Sequence, residues 1–201
     1  MPKLNKAIGK SMSNIKDMDV YRHTISVLVD NEAGVLARVI GLFSGRGYNI
    51  ESLTVSEVDA EHKLSRINLV TSGTRQIVEQ IKAQLARLVP VHVVKDLTDE
   101  GPSIARELVL AKVAGVSDKR VEALRIGDIF RANVVDSTNK SFVFEVVGTM
   151  EKVDAFIDLM KPLGLVEVSR TGVAAIGRGQ KGMYQNSLKA AGRQNRRSKK
   201  S

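Results

Sequence analysis

The sequence has no cysteine, no tryptophan, four prolines and few aromatic residues, which make up 4% of the chain. Without cysteine it forms no disulfide, no thiolate zinc site and no cysteine nucleophile, and it suits a reducing compartment, so we expect a cytoplasmic protein. No apolar run approaches the roughly 18 residues that a membrane helix needs, so we expect no membrane span. Residues 1–20 contain lysines but no apolar segment and no cleavage-like pattern of small residues, which argues against a secretory signal.

The net charge of +9 lies almost entirely towards the two ends of the sequence. Residues 178–201 carry eight basic residues and no acid, residues 1–20 carry four lysines and two aspartates, and residues 21–177 carry 19 basic and 20 acidic residues. We therefore predict a flexible leader at 1–20, a nearly neutral folded body and a flexible, disordered basic tail at 178–201. Such a tail can touch nucleic acid nonspecifically, but no basic face accompanies it, so we expect no nucleic-acid partner.

Residues 21–97 follow the element order βαββαβ. Ile25, Val27 and Val29 alternate with polar residues, as in a half-buried strand. Asp30-Asn31-Glu32 then offers helix-capping side chains, and the glycines of 45–47 end the helix that follows. That helix carries a broad apolar stripe at helical spacing, namely Val35, Leu36, Val39, Ile40, Leu42 and Phe43. The unit is completed by strands at 48–55 and 63–71, a helix at 74–88 with Thr74 as N-cap, and a strand at 91–94.

A turn-rich linker at 98–103 precedes a second copy of the same order, which we place at 104–177. It contains a strand at 106–113, a helix from the cap Ser117 to Phe130, a hairpin of strands 132–136 and 142–147, a helix at 150–163 and a last strand at 165–168. The predicted fold class is therefore α+β, with two ferredoxin-like βαββαβ domains. Each places two helices on one face of a four-stranded antiparallel sheet.

The chain offers little that matches catalytic or metal-binding machinery. His23, His62 and His92 are far apart, lack metal-ligand spacing and fall where we expect surface or edge positions. The string Gly177-Arg178-Gly179-Gln180-Lys181-Gly182 matches the dinucleotide-binding fingerprint letter by letter, but it lacks the helix and the acidic residue that the mechanism requires. With no nucleophile–base pair in view, we predict no catalytic residue and no metal site on this chain.

The turn that opens the first helix is, by contrast, suited to a small acid. Free backbone amides at a helix start form a receptor for a carboxylate, and the helix dipole favours negative charge there. Gly34, Val35 and Leu36 supply those amides, while the Asn31 and Asn49 side chains each offer a donor and an acceptor for a zwitterion. Each asparagine by itself, and Gly34 by itself, is more often a turn or cap residue.

The string Asp30-Asn31-Glu32-Ala33-Gly34-Val35-Leu36-Ala37-Arg38-Val39 resembles the ligand-binding turn of ACT domains, small amino-acid-sensing modules with the βαββαβ order. The stretch 38–55 is similar to one family in particular, the small regulatory subunits of acetolactate synthase (acetohydroxyacid synthase). The resemblance continues through 106–108, 129–131 and 167–173, and it covers about residues 21–179. The leader and the last twenty residues are not part of it.

The resemblance implies a noncatalytic protein of branched-chain amino-acid synthesis. Family members activate a catalytic large subunit, which holds thiamine diphosphate, magnesium and FAD, so we expect no cofactor on this chain. They also make that subunit sensitive to feedback inhibition by valine and, in some cases, by leucine or isoleucine. Since one methylene is worth only about 1–3 kcal/mol in an apolar pocket, the sequence leaves the dominant effector open.

For the two domains the resemblance implies different roles. The first, 21–97, is an ACT domain that binds the effector and pairs with its copy into a homodimer, with the effector between the two copies. The second, 104–177, is the C-terminal domain of the family. The effector-binding residues implied by the resemblance are Asn31, Ala33, Gly34, Val35, Leu36, Asn49 and Ile50.

Two functions of other classes remain alternatives. A free-standing ACT-type amino-acid-binding regulator of transcription would need a recognition helix, and the sequence has no helix-turn-helix pattern with basic exposed positions. A small enzyme of ferredoxin-like fold would need a catalytic constellation, which the residue pattern does not supply.

Overall fold

The computed structural model describes residues 19–183, which form two compact units. The second unit is Ile104–Ala174, and the first comprises the described residues on either side of it, 19–103 and 175–183. Residues 1–18 of the predicted leader and residues 184–201 of the predicted tail lie outside the described residues. No helix in the described range is long and apolar enough to cross a membrane.

The first unit folds in the order β1-α1-β2-β3-α2-β4, which confirms the predicted βαββαβ arrangement. Its elements are β1 (Tyr21–Asp30), α1 (Val35–Ser44), β2 (Ser52–Asp59), β3 (Leu64–Gly73), α2 (Arg75–Leu85) and β4 (Val91–Asp96). All neighbouring strands are antiparallel, and their order is β2-β3-β1-β4. Strands β1 and β3 are therefore central, and β2 and β4 form the two edges of the sheet.

Both helices of the first unit pack against one face of its sheet. Alternate side chains of the two central strands point into this core, namely Ile25, Val27, Val29, Ile67 and Leu69. The helices contribute Val35, Val39, Phe43, Val78, Ile81 and Leu85. The predicted apolar stripe of α1 is wider than its buried side, because Leu36 and Ile40 are 36% and 39% exposed.

The second unit repeats the arrangement with additions at its end. Its elements are β5 (Ser103–Val113), α3 (Asp118–Phe130), β6 (Asn133–Ser137), β7 (Phe142–Gly148), α4 (Met150–Met160), a 3-10 helix (Lys161–Leu163), β8 (Leu165–Arg170) and β9 (Ala174–Gly177). Four strands lie in the order β6-β7-β5-β8, with β9 beside β5. The sequence did not predict β9. The core includes a row of aromatic rings, Phe130, Phe142, Phe144 and Phe156.

Three helix starts test the predicted caps. Thr74 caps α2 as predicted, since its Oγ1 accepts a hydrogen bond from the Ile77 amide at 3.4 Å. The prediction that side chains of 30–32 cap α1 is wrong, because Gly34 is the N-cap residue and no side chain bonds there. The predicted Ser117 cap of α3 makes no side-chain bond either, and Ser117 has a positive φ of 51°.

The helix predicted at 150–163 is shorter in the structure. It ends as α4 at Met160 and continues for one turn as the 3-10 helix, which contains Pro162. Proline has no amide hydrogen to donate to the preceding turn, so the regular α-helix does not continue through it. Gly164, with a φ of 102°, then turns the chain into β8.

The described part of the predicted tail, residues 178–183, differs from the prediction of a disordered segment. The contacts of residues 175–183 group them with the first unit, although 174–177 also pair with β5 as strand β9, within the range 104–177 predicted for the second domain. The Arg178 amide donates to the Pro102 carbonyl at 2.8 Å. Met183 is buried in a small cluster with Leu28 and Leu64. Both leucines lie on the face of the first sheet that points away from α1 and α2, so this segment covers apolar side chains there.

Candidate functional site

Five of the predicted effector-binding residues lie where β1 leads into α1. Asn31, Ala33 and Gly34 are in the turn, and Val35 and Leu36 are the first two residues of the helix. Hydrogen bonds fix the entry of the turn, since the Asn31 amide donates to the Lys63 carbonyl at 2.7 Å. The Asp30 amide donates to the Pro90 carbonyl at 2.9 Å. Gly34 then adopts a φ of 85°, a left-handed conformation in which glycine carries no steric cost. The backbone thus enters α1 abruptly, with its first turn at the surface.

The start of α1 has the features of an anion receptor. No side chain caps it, and its first turn contains no acidic residue that would supply negative charge. A Cβ at Gly34 would meet nothing within 4 Å, so there is open space beside the turn. The Val35 amide donates to the Glu32 carbonyl at the long distance of 3.4 Å. The other first-turn amides and the positive end of the helix dipole together favour a small negatively charged group at this place.

The remaining two predicted residues, Asn49 and Ile50, lie in the connection between α1 and β2. The Asn49 carbonyl accepts a 2.7 Å hydrogen bond from the buried Thr71 hydroxyl, which fixes the backbone while the Asn49 side chain stays exposed. Ile50 is half-buried and packs against the core of the first unit. This connection is therefore ordered by the sheet, and it presents one amide side chain outwards.

Within one chain the structure does not bring the two asparagines together. Asn31 is bonded to Lys63 and Asn49 to Thr71, which lie at opposite ends of β3. Eight residues of extended chain separate those two anchors, or about 27 Å at 3.4 Å per residue. A molecule the size of an amino acid cannot span that distance. The seven predicted residues therefore lie in two groups at opposite ends of the sheet.

Glu57 is a neighbour of the candidate site that the sequence analysis missed. Its Oε1 accepts a hydrogen bond of 3.1 Å from Asn31 Nδ2, and its side chain is exposed at the end of β2. The sheet register creates this contact, because Glu57 lies opposite Ser65 on β3, close to Lys63. The helix start thus has a carboxylate beside it as well as amides.

The prediction that all three histidines occupy surface or edge positions is wrong for His23. This residue lies on the central strand β1, is 2% exposed and has its Nδ1 atom 2.7 Å from Asp96 Oδ2. Asp99 lies nearby, and the ligand atoms of the three residues fall within 4.8 Å of one another. The other Asp96 oxygen accepts from the Thr98 amide at 2.9 Å. One oxygen of Asp96 therefore holds the end of β4 to β1, and the other fixes the turn that follows β4.

Comparison with known proteins identifies the family. Family models described as "AHAS small subunit-like ACT domain" and "Small subunit of acetolactate synthase" match residues 25–93 and 106–179. The acetolactate synthase small subunit of Haemophilus influenzae is 47% identical over 161 residues, which span 80% of this chain and 98% of that protein. The isozyme 3 small subunit of Escherichia coli is 43% identical over the same shares.

A solved structure agrees with these sequence matches. The crystal structure of the acetolactate synthase small subunit from Thermotoga maritima superposes with a TM-score of 0.70 at 35% identity, covering 80% of this chain and 99% of that one. The resemblance drawn from the sequence is thereby confirmed, including the ACT character of the first domain. The chain belongs to the family of acetolactate synthase small subunits, which are regulatory subunits of an enzyme whose catalytic role belongs to a large subunit.

Proposed function

We propose that the chain is the feedback sensor of its enzyme, which binds valine in the first unit, activates the large subunit and transmits inhibition to it. Leucine and isoleucine are alternative effectors. The observation that carries the proposal is the start of α1, where no side chain caps the helix and Gly34 has a φ of 85°. Such amides favour an anion, and the α-carboxylate of an amino acid supplies one.

The ammonium group of the effector needs acceptors beside its carboxylate. Asn31 donates its Nδ2 hydrogen to Glu57, so Asn31 Oδ1 and the Glu57 carboxylate offer oxygen atoms next to the helix start. The exposed Leu36 side chain on the first turn of α1 offers an apolar surface for the effector's own side chain. Together these groups match the three parts of a branched-chain amino acid.

The second half-site reaches the effector from a partner chain in this proposal. The edge strand β2 begins just after Asn49 and ends beside Glu57, close to Asn31. If β2 pairs antiparallel with β2 of a second copy about a twofold axis, the start of one strand lies beside the end of the other. Asn49 of one chain then approaches Asn31 of its neighbour, and the dimer contains two equivalent composite sites.

The exposed side chains of the first unit support this mode of pairing. Val55 on β2 and Leu36 and Ile40 on α1 are apolar and exposed. An edge strand with unpaired backbone groups and apolar side chains is one that proteins in solution tend to cover. Pairing through β2 joins two four-stranded sheets into one and covers all of these groups.

The cofactors of the reaction are assigned to the large subunit. Thiamine diphosphate, magnesium and FAD are expected there, and the chain itself is proposed to contribute regulation in the cytoplasm without binding any of them. Its influence on the catalytic site is measured by the coupling free energy between effector binding on this chain and substrate binding on the large subunit. Such coupling is about 1–3 kcal/mol in typical allosteric proteins.

Coexpression with the cognate large subunit tests the proposed function. We expect the tagged chain to copurify with the large subunit, to increase the rate of acetolactate formation and to make that rate sensitive to valine. A chain that binds valine but neither copurifies with the large subunit nor changes its activity would instead be the free-standing ACT-type regulator. A chain that activates the large subunit without binding any branched-chain amino acid would refute the sensor role.

A further inference from the structure

A cavity of about 260 Å³ lies on the face of the first sheet that is opposite to α1 and α2. Arg66 and Lys95 reach it from β3 and β4, where they alternate with core residues and so point away from the helices. Its other wall is the segment 176–183, which contains Lys181. All of these residues belong to the first unit, and none of them is part of the proposed effector site.

The lining of this cavity is positively charged. Among the described lining residues there are three cations, Arg66, Lys95 and Lys181, and no carboxylate. Glu100 lies close enough to Lys95 for that charge to act on it, although its hydrogen bonds go elsewhere. Burial works to raise the pKa of Glu100, but the hydrogen bonds from Lys82 and the Asp96 amide and the charges of Lys82 and Lys95 lower it. Asp96, which lies between Lys95 and Leu97, bonds His23 and the Thr98 amide with its two oxygens. Both acids next to Lys95 therefore have partners of their own, and neither lines the cavity.

Arg66 is positioned by a buried polar chain. Its Nε atom donates to Ser26 Oγ at 2.7 Å, and that hydroxyl donates to Asn68 Oδ1 at 2.8 Å. Ser26 and Asn68 are both buried, although they lie on the face of the sheet without helices. A guanidinium held in this way keeps a fixed orientation, and little of its conformational freedom remains to be lost on binding a ligand.

The opposite wall exposes main chain at three of its seven lining residues, Gly177, Gly179 and Gly182. A Cβ added at Gly177 or Gly179 would meet nothing within 4 Å, so packing inside the protein does not require glycine at these two positions. Gly179 has a φ of 95°, which shapes the loop. A glycine-rich loop beside cations lets a ligand approach backbone groups closely, which is the usual chemistry of phosphate recognition.

The sequence that follows this loop supplies no counter-charge. Residues 184–201 contain six basic residues and no aspartate or glutamate. We propose that the cavity binds the phosphate group of a small phosphorylated metabolite, as a second ligand site separate from the amino-acid effector. Three cations and exposed backbone suit a dianion, and the volume lies just below the range typical of pockets for drug-sized molecules, which suits a small ligand.

Titration of the full chain with inorganic phosphate tests this proposal. The titration is followed by calorimetry and by the amide shifts of the labelled protein, at constant ionic strength so that general screening does not change. We expect saturable binding and shifts concentrated at residues 95–97 and 176–183. Lys95→Gln and Lys181→Gln should each weaken phosphate binding about tenfold, whereas Lys140→Gln, which removes an exposed lysine of the second unit, should not.

Acetate and sulfate at the same ionic strength separate the possible ligand chemistries. We expect sulfate to compete with phosphate, because it is also a tetrahedral dianion, and acetate to compete poorly. The proposal would be overturned if the amide shifts were confined to the basic residues beyond 184, or if the three lysine variants bound phosphate with equal affinity. It would also be overturned if acetate bound as tightly as phosphate, or if phosphate binding did not saturate. None of these results depends on valine binding, so a failure here is distinct from a failure of the sensor role.

Discussion

Substitution of Gly34 tests whether the turn before α1 binds a ligand or is an ordinary turn. At the φ of 85° a side chain is strained, although aspartate and asparagine tolerate left-handed conformations better than most residues, so we expect Gly34→Asp to cost about 1 kcal/mol of stability. Its carboxylate would lie beside the amides that the effector needs. We therefore expect valine affinity, measured by calorimetry, to fall by about tenfold or more, while the chain stays folded and its urea midpoint decreases only slightly.

Gly34→Asn is the matched control, because it has the same shape without the charge. A smaller loss of valine affinity in Gly34→Asn would show that charge repulsion adds to steric blocking. Unchanged valine affinity in Gly34→Asp would rule out the helix start as the carboxylate site.

The two asparagines give a test of whether the effector site spans two chains. Asn31→Ala and Asn49→Ala should each cost about 1–3 kcal/mol of valine binding, because a polar group of the zwitterion loses its partner. In a mixed dimer of the two variants, a composite site predicts one doubly altered site and one intact site. Calorimetry should then recover the wild-type affinity with half the wild-type stoichiometry.

A site contained in one chain predicts the opposite outcome for the mixture. Each chain would carry its own defect, and no site of wild-type affinity would appear. The 27 Å estimated between the anchors of Asn31 and Asn49 along β3 is the physical reason to expect the composite result.

At the scale of elements, the edge strand β2 is the expected dimer contact. Val55→Lys places a charge on this strand, and an inward-facing charge is a common way to prevent edge-to-edge pairing. We expect the variant to sediment as a monomer at tens of micromolar, and to lose valine affinity because each site loses its second half. Val89→Lys is the control, since Val89 is 94% exposed and lies outside every strand and helix.

A buried ion pair joins strands β5 and β8. Glu107 is 3% exposed, and two nitrogens of Arg170 donate to its two oxygens, while a third donates to Asp154 at 2.7 Å. Glu107→Ala should destabilise the protein by about 2–3 kcal/mol in urea unfolding, since Arg170 then loses its buried partner but keeps Asp154. Glu167→Ala, which breaks an exposed pair with Lys112 in the same two strands, should leave the urea midpoint almost unchanged.

Local signals in the sequence predicted the elements well and the long-range contacts poorly. Thr74 was identified as a cap because its acceptor and the amide it bonds are three residues apart. The burial of His23 depends on β1 being central and on Asp96, which is 73 residues away. Glu57 approaches Asn31 only through the register of β2 on β3, and no periodicity in the sequence contains that information.

The contrast between local signals and long-range contacts also explains why the sequence did not predict the burial of the segment 175–183. Its glycines and lone Met183 resemble a linker in sequence, because a single apolar residue does not define an element. Its burial depends on Leu28 and Leu64, which belong to a sheet face that a two-layer ferredoxin-like fold leaves open. The candidate site was predictable to the extent that it is one continuous segment, residues 31–36, whereas the second half that we propose depends on a partner chain.

At the scale of the whole molecule, we expect sensing and activation to be divided between the two units. At the turn of the second unit that corresponds to 31–34, the sequence Ala114-Gly115-Val116-Ser117 lacks the Asn-x-x-Gly arrangement. Gly115 there is closely packed, with a Cβ position only 2.8 Å from the Leu163 carbonyl, so this turn has no open space like that beside Gly34. The second unit is therefore free to serve contact with the large subunit.

Truncation of the chain after Leu97 is a poor test of this division, because it would remove Met183 from Leu28 and Leu64. Surface substitutions in α3 avoid that problem. Val121 and Ile129 are each 68% exposed on this helix, so Val121→Glu and Ile129→Glu should leave the fold and the calorimetric valine affinity unchanged. If α3 contacts the large subunit, both variants should lower its activation in the acetolactate assay by about tenfold, whereas Val89→Glu should not. Full activation by both variants would contradict a role for α3, and lost valine affinity would show instead that sensing is not confined to the first unit.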